Sequence, residues 1–470
     1  MTIKLALPAG DSRPLVGELL AGAGVTTTGY EPSSRQLRSV LHEDGLTLRV
    51  FREKDIPIQV ALGNYDIGIT SDVWLSELQV RFPLQRIVRI GSLPGPRTEV
   101  WIAASPESGA SPGTLPASTL LEGARIATEL PNLSDVAAVQ MRIPRYRLLP
   151  VHGSADAYPP DDAEFAVLSA SGREQVEAKG LVPLHRLFSG GLALLANADA
   201  LRSKPLGSLL AKLAPLLSGA PPVLDVPRPG SGTTFRRQER SLDVLRLAVP
   251  DGHAQRHTPA ALLAGGMQFE GYDEKSFIRR PVSNIRGLEV KVVRPQDMPQ
   301  MVAMGMFDIA VSGFDILHEH VCKFPSSPVQ MQVDLGRNRY WIGPVVDAAF
   351  PVDTTAEAIP IWNSLGRPVR IASEFPATAE RFAHDHQIQH TAIIPVAGAS
   401  EGFVPEDADF LVEGTETGTS IRANGLKMLD AFMESTACVI TRREPVTRQL
   451  ALLADLVDRF ETSARAVAVS

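Results

Sequence analysis

The chain has 470 residues, 44% hydrophobic and 21% charged, with a formal net charge of −7, the balance of an ordinary globular protein of more than one domain. A pI near 5.9 leaves no basic face for a polyanion, so no nucleic-acid partner is expected. Two cysteines, Cys322 and Cys438, cannot build a disulfide framework or a four-cysteine zinc site. No apolar run is long enough for a bilayer and residues 1–8 carry no secretion signal, so no membrane partner and a cytoplasmic location are expected.

In chain order, short apolar runs predict strands over 3–7, 46–51, 66–70, 100–104 and 125–128. Helical spacing predicts helices over 14–23, 55–62 and 132–141. Asp55 reads as an N-cap, with Pro57 in the first turn. Residues 219–241 hold Pro221-Pro222, Pro227, Pro229 and Gly230-Ser231-Gly232, a flexible or extended connector by composition. Beyond it the same elements return, with Asp297 as a second N-cap candidate. They end in a strand over 437–441 and a helix whose stripe of Leu450, Leu453, Val457 and Phe460 reads as core packing.

The return is a sequence repeat. Leu5-Ala6-Leu7-Pro8 recurs as Leu247-Ala248-Val249-Pro250, 242 residues on, and Arg52 with Asp55-Ile56-Pro57 recurs as Arg294 with Asp297-Met298-Pro299 at the same spacing. Arg125-Ile126-Ala127-Thr128 and Gly180-Leu181 recur as Arg370-Ile371-Ala372-Ser373 and Gly425-Leu426 at 245, a drift that small loop insertions produce. The expected organisation is a first copy over 1–218, a linker over 219–241 and a second copy over 242–470. The copies are expected to pack on each other as a built-in pseudo-dimer, with further homo-oligomers open. Strands alternating with helices imply an α/β unit with a mostly parallel sheet, whose ligands sit beyond the carboxyl ends of the strands.

The chemistry concentrates between 410 and 426. An apolar strand ends at Glu413. A small hydroxyl-rich loop, Thr415-Glu416-Thr417-Gly418-Thr419-Ser420, then leads into a helical pattern. Free amides at a helix start, with Thr and Ser hydroxyls, hold phosphate, and glycine permits close backbone approach. The acid suits ribose hydroxyls. From the residues alone, an ordinary capped strand–turn–helix is the competing reading. His318-Glu319-His320 and His384-Asp385-His386 invite a metal reading, but residues two apart on a helix face different ways. Solvated surface is expected for both, with no metal held by protein alone.

This loop resembles the phosphoribosyl-pyrophosphate loop of the ATP phosphoribosyltransferase family, which opens histidine biosynthesis. Thr417-Gly418-Thr419-Ser420-Ile421 and Ala423-Asn424-Gly425-Leu426 carry the resemblance, supported by Arg294-Pro295-Gln296-Asp297-Met298-Pro299 and by Asp308 to Asp315. It implies two tandem copies of a two-lobed, type II periplasmic-binding-protein-like unit. It also implies ATP and phosphoribosyl pyrophosphate as partners and Mg2+ as the cofactor. The implied site for phosphoribosyl pyrophosphate is Glu413, Thr417, Gly418, Thr419 and Ser420, with Arg294 and Glu401 as further candidates. The first copy reads Ser169-Ala170-Ser171-Gly172-Arg173-Glu174 at the loop, a degenerate version. Both copies lack the family's Lys and Arg after the first strand: Ala9 and Asp11 stand there in one, Asp251 and His253 in the other. The reaction implied is transfer of phosphoribose to ATP, with catalytic residues unassigned. The alternative is a non-catalytic ligand-binding or regulatory relative.

Overall fold

The computed structural model describes every residue except 1, 35, 42–45, 84–85, 219–221, 226, 229, 239, 277 and 469–470. In the first copy the strand Ile3–Pro8 lies parallel to Leu46–Phe51 and Ile67–Ser71, which makes the sheet of one lobe. Arg125–Thr128 lies parallel to Arg147–Pro150 and Phe165–Ala170, which makes the other. Two long antiparallel strands, Ile87–Ala104 and Val182–Asn197, run through both lobes and merge them into one ten-stranded sheet. The expected strand over 100–104 is only the end of an 18-residue one. Pro94-Gly95-Pro96 and Gly190-Gly191 hide the rest from any periodic pattern, and the pairing is irregular there, with a shift between Gly190 and Leu192. Bulges are where sheets accept such residues.

The second copy repeats the order with its long strands broken. Val329–Asp334 and Tyr340–Asp347 are separate, as are Met433–Ser435 and Ala437–Arg442, so the lobes carry distinct sheets of five and six strands. The first break falls at Gly336 (φ 60°) and Asn338 (φ 54°), left-handed positions that favour these two residues. Individual bonds repeat too. Tyr30 Oη donates to Pro8 O and Tyr272 Oη to Pro250 O, both at 2.7 Å.

The copies pack head to tail. Tyr65 Oη donates to Asp407 at 2.5 Å, Arg49 pairs with Glu406, and Phe51 meets Phe403 edge-on at 4.9 Å. At the mirrored junction Arg246 and Lys291 meet Asp162 at 3.1 and 2.5 Å, and Lys291 meets Asp161 at 2.8 Å. The first lobe of each copy therefore rests on the second lobe of the other. Asp55 and Asp297 serve this junction and are not N-caps. Each has helical backbone angles (φ −85°, ψ −22°) behind a 3-10 turn, where a cap needs extended backbone. Their carboxylates accept the backbone N–H of Ala397 (3.1 Å) and of His152 (3.0 Å) from the opposite copy.

The connector is also more tied down than its composition implies. Phe235 stacks on Phe165 at 5.3 Å, and Gly232 exchanges 3.0 Å backbone bonds with Leu115 and Ala117. Two apolar side chains, Leu224 and Phe235, draw it onto the first copy's core. The terminal helix Leu450–Ala468 buries Leu453, Leu456 and Phe460, whereas Leu450 is 57% exposed and leaves the expected stripe. No described helix is long and apolar enough to cross a membrane.

Candidate functional site

The second copy opens a cleft of ≈340 Å³ between its lobes. One wall comes from the end of the first strand, with Asp251, His253 and Arg294. The other comes from Gly414, Thr415 and Glu416 at the end of the strand Phe410–Thr415. His253 and Glu416 approach across it to 3.9 Å.

The loop beyond Thr415 is short and stiff. Gly418 N–H donates to Thr415 Oγ1 at 2.8 Å, the Thr417 and Thr419 hydroxyls share a 2.8 Å bond, and Arg422 holds Thr417 O at 2.7 Å. Gly418 sits at φ +71°, and a Cβ there would lie 2.6 Å from Arg422 Nη1, so the turn selects glycine. A one-turn helix, Thr419–Ala423, follows. Thr417, Thr419 and Ser420 are exposed, and the amides of Thr419, Ser420 and Ile421 donate no hydrogen bond to any described residue. Asn424 fastens the end of this helix: its Oδ1 accepts Leu37 N–H of the first copy at 2.8 Å.

Glu413 projects away from this loop into a cluster of acids. Ser400 Oγ donates to it at 2.5 Å and Gly414 N–H at 3.0 Å. Burial, reinforced by the Glu374 carboxylate, pushes Glu413 up to about 8. Glu401 adds to the same negative field. The first copy supplies the counter-charge. Arg52 and Lys54 line an inter-copy cavity with Glu374 and Ala397. Gly398 (φ +119°) is what lets them converge, since a Cβ there would lie 2.7 Å from Glu374 Oε1 and 2.9 Å from Arg52 Nε. Among the described residues no group of three or more His, Cys, Asp or Glu is spaced to hold a metal ion.

The sequence candidates thus divide. Thr417, Gly418, Thr419 and Ser420 form one continuous loop. Glu413 and Glu401 stand together behind it. Arg294 lines both the interlobe cleft and the inter-copy cavity; Asp251 holds it at 3.3 Å, and its Nε would meet a Cβ on Gly153 of the first copy at 2.5 Å. Arg52, Lys54 and Glu374 escape sequence reasoning, because two belong to the copy with the degenerate loop. The repeat spacing of Arg52 and Arg294, read with a head-to-tail pairing, was the available signal. The two histidine pairs divide as well. His384 is exposed, but His320 is buried and bonded to Ser327 Oγ at 2.7 Å, which corrects the solvated-surface reading for that segment.

The first copy's equivalent is closed. Ser171 N–H is taken by Gln175 Oε1 at 2.6 Å, and Gly172 is extended. Asp156, at the position of Glu401, pairs with Lys179 and Arg279, both at 3.2 Å. Charges that a ligand would meet are met by the protein itself.

Glu413 gives a pH signature. Its ordinary value is 4.5 and its folded value is raised, so the folded state holds a proton that the unfolded state has lost. This stability is complete below pH 4.5 and is lost as pH rises through about 8. Glu413→Gln, which needs no proton, should therefore gain on wild type as pH goes from 5 to 9. A Tm advantage of about 2–4 °C is expected for each kcal/mol, read by differential scanning calorimetry. A constant Tm difference across that range would refute the buried-acid assignment.

A family model described as ATP phosphoribosyltransferase matches residues 52–218 and 294–462. The ATP phosphoribosyltransferase of Gemmatimonas aurantiaca is 29% identical over 203 residues, 42% of this chain and 64% of its own length. That of Rubrobacter xylanophilus is 30% identical over 209 residues, 42% of this chain and 87% of its own. The match thus spans less than two thirds of the first of these relatives. Among solved structures, an ATP phosphoribosyl transferase (HisG:HisZ) complex from Thermotoga maritima is 22% identical, with a TM-score of 0.38, over 47% of this chain and 100% of that one.

Proposed function

Because this chain belongs to the ATP phosphoribosyltransferase family, we propose that its second copy joins ATP and phosphoribosyl pyrophosphate to give phosphoribosyl-ATP and pyrophosphate, the first step of histidine biosynthesis. The observation that carries this reading is the loop Thr417–Ser420. Its hydroxyls and amides stand open at a strand end, whereas the first copy's loop is closed on itself. In this reading the loop holds the 5′-phosphate and Glu413 faces the ribose. N1 of adenine, placed in the interlobe cleft, attacks C1 as pyrophosphate leaves. Arg52 and Lys54 supply positive charge to the departing group, and the protein's work is alignment and charge stabilisation. Magnesium enters with the pyrophosphate, as part of the substrate.

The test is turnover of ATP and phosphoribosyl pyrophosphate by the full chain with magnesium, wild type against Thr419→Ala/Ser420→Ala. The double variant removes two phosphate donors and should lower kcat/KM by about 10²-fold or more, with ATP affinity unchanged. One observation favours a second reading. Asp251 occupies a position where the family carries a basic residue, and it neutralises Arg279 (3.0 Å) and Arg294 (3.3 Å) beside the cleft. A wild-type chain that binds phosphoribosyl pyrophosphate without turnover would establish that reading, a ligand-binding or regulatory relative.

A further inference from the structure

The histidines of His318-Glu319-His320 drew attention in the sequence, but the glutamate between them holds the unusual position. Glu319 lies on the helix Phe314–Lys323 of the second copy's first lobe. Its carboxylate crosses to the second lobe and accepts Ala377 N–H at 2.9 Å and Thr378 N–H at 2.7 Å. These are the first two amides the helix Pro376–Asp385 can offer, since Pro376 has none. Phe375, at that helix's N-cap position, makes no side-chain cap bond, so the cap comes from the other lobe. His318 Nδ1 reinforces it with a 3.2 Å contact to Thr378 Oγ1.

The first copy repeats the device. Glu77 accepts Asn132 N–H at 2.7 Å and Leu133 N–H at 2.9 Å, at the start of Pro131–Gln140, where Leu130 likewise makes no side-chain cap bond. Two copies that have diverged elsewhere have each kept a carboxyl that accepts two backbone N–H groups across the lobes.

The placement gives the bond a consequence. The lobes of the second copy are joined where its long strands break, so rotation about those crossovers changes the width of the cleft. Such a rotation must pull Glu319 off the helix and leave two amides unpaired. The same helix begins two residues after Glu374, the acid that converges with Arg52 at Gly398. We infer that Glu319 is a positioning residue, an interlobe latch that holds the second copy's cleft at its working width and fixes Glu374 against Arg52. Binding then does not have to supply the cost of closing the lobes. The consequence for substrates rests on the proposed site in the second copy; the latch itself rests on geometry alone.

The experiment compares Glu319→Gln and Glu77→Gln in the full chain by hydrogen–deuterium exchange and by steady-state kinetics with ATP and phosphoribosyl pyrophosphate. Glutamine keeps the shape but offers one acceptor for two amides. Glu319→Gln should raise exchange at Ala377 and Thr378 at least tenfold, with Asn132 and Leu133 unchanged as the internal control. It should also raise KM about tenfold with kcat within twofold. Glu77→Gln should show the converse exchange pattern and leave KM unchanged. Glu319→Asp, too short to reach both amides, should behave as Glu319→Gln and serves if that variant folds poorly. Unchanged exchange at 377–378, or equal effects of the two glutamine variants on KM, overturns the proposal. A wild-type chain that takes neither substrate overturns the functional reading, and the exchange data still decide the latch.

Discussion

Expressed as separate chains, residues 1–218 and 242–470 should each fail to persist as folded monomers, and mixing them should restore the native fold. The reason is that two of the hydrophobic cores belong to neither copy. One joins Tyr158, Leu168 and Val176 of the first to Val293, Met298 and Phe307 of the second. Another joins Ala6, Phe51 and Val60 to Phe403, Val404 and Leu411. Burying a large apolar side chain contributes about 1.5–3 kcal/mol, so opening both cores forfeits on the order of 10 kcal/mol. That is comparable with the whole stability of a typical domain, about 5–15 kcal/mol. Separation would also break the ion pairs of Arg246 and Lys291 with Asp161 and Asp162, but those charges return to water, so the shared apolar cores carry the expectation. Circular dichroism and analytical ultracentrifugation of each half, alone and mixed, decide the matter. Two halves that stay folded, monomeric and indifferent to each other would rule out the interlocked arrangement.

The repeat was legible because it is a property of the string: a fixed spacing survives divergence that erases single positions. Local elements were legible for a similar reason. The strands Leu46–Phe51 and Arg125–Thr128 begin and end where their apolar runs do. The two long strands were not, because they carry Pro94, Gly95, Pro96, Gly190 and Gly191 where a strand pattern needs side chains. The phosphate-loop candidate was visible as strand, turn and helix, since Glu413 to Ile421 are contiguous. Its surroundings were not, since Arg52, Glu374 and Gly398 come from three distant segments and two copies. Asp55 illustrates the ambiguity. An acid before Pro57 is a reasonable N-cap by sequence, and only the opposite copy, presenting Ala397 N–H, shows what it binds.

That crossing of copies yields the sharpest kinetic expectation: Arg52→Ala should lower kcat/KM at least 10²-fold, whereas Arg294→Ala should leave it within about threefold. The two arginines are repeat-mates that line one cavity and lie against equivalent glycines, Gly398 and Gly153, but among the described residues only Arg294 has an aspartate, Asp251, in an ion pair with it. Arg294 is claimed by Asp251 at 3.3 Å and lies against Gly153, beside the closed loop. Arg52 is exposed into the inter-copy cavity and converges with Glu374 behind the open loop, where it pulls down a carboxyl that burial raises. A guanidinium so placed can fork onto pyrophosphate oxygens, and loss of one such donor to developing charge costs about 10²–10³ in rate. Because Arg52 is exposed, its removal should cost little stability, so Tm within about 2 °C of wild type is the control. Arg52→Lys keeps the charge but loses the fork and should fall between the two. If Arg294→Ala proved the damaging variant and Arg52→Ala the silent one, the working site would lie on the first copy's second lobe, and the assignment of the open loop would fall with it.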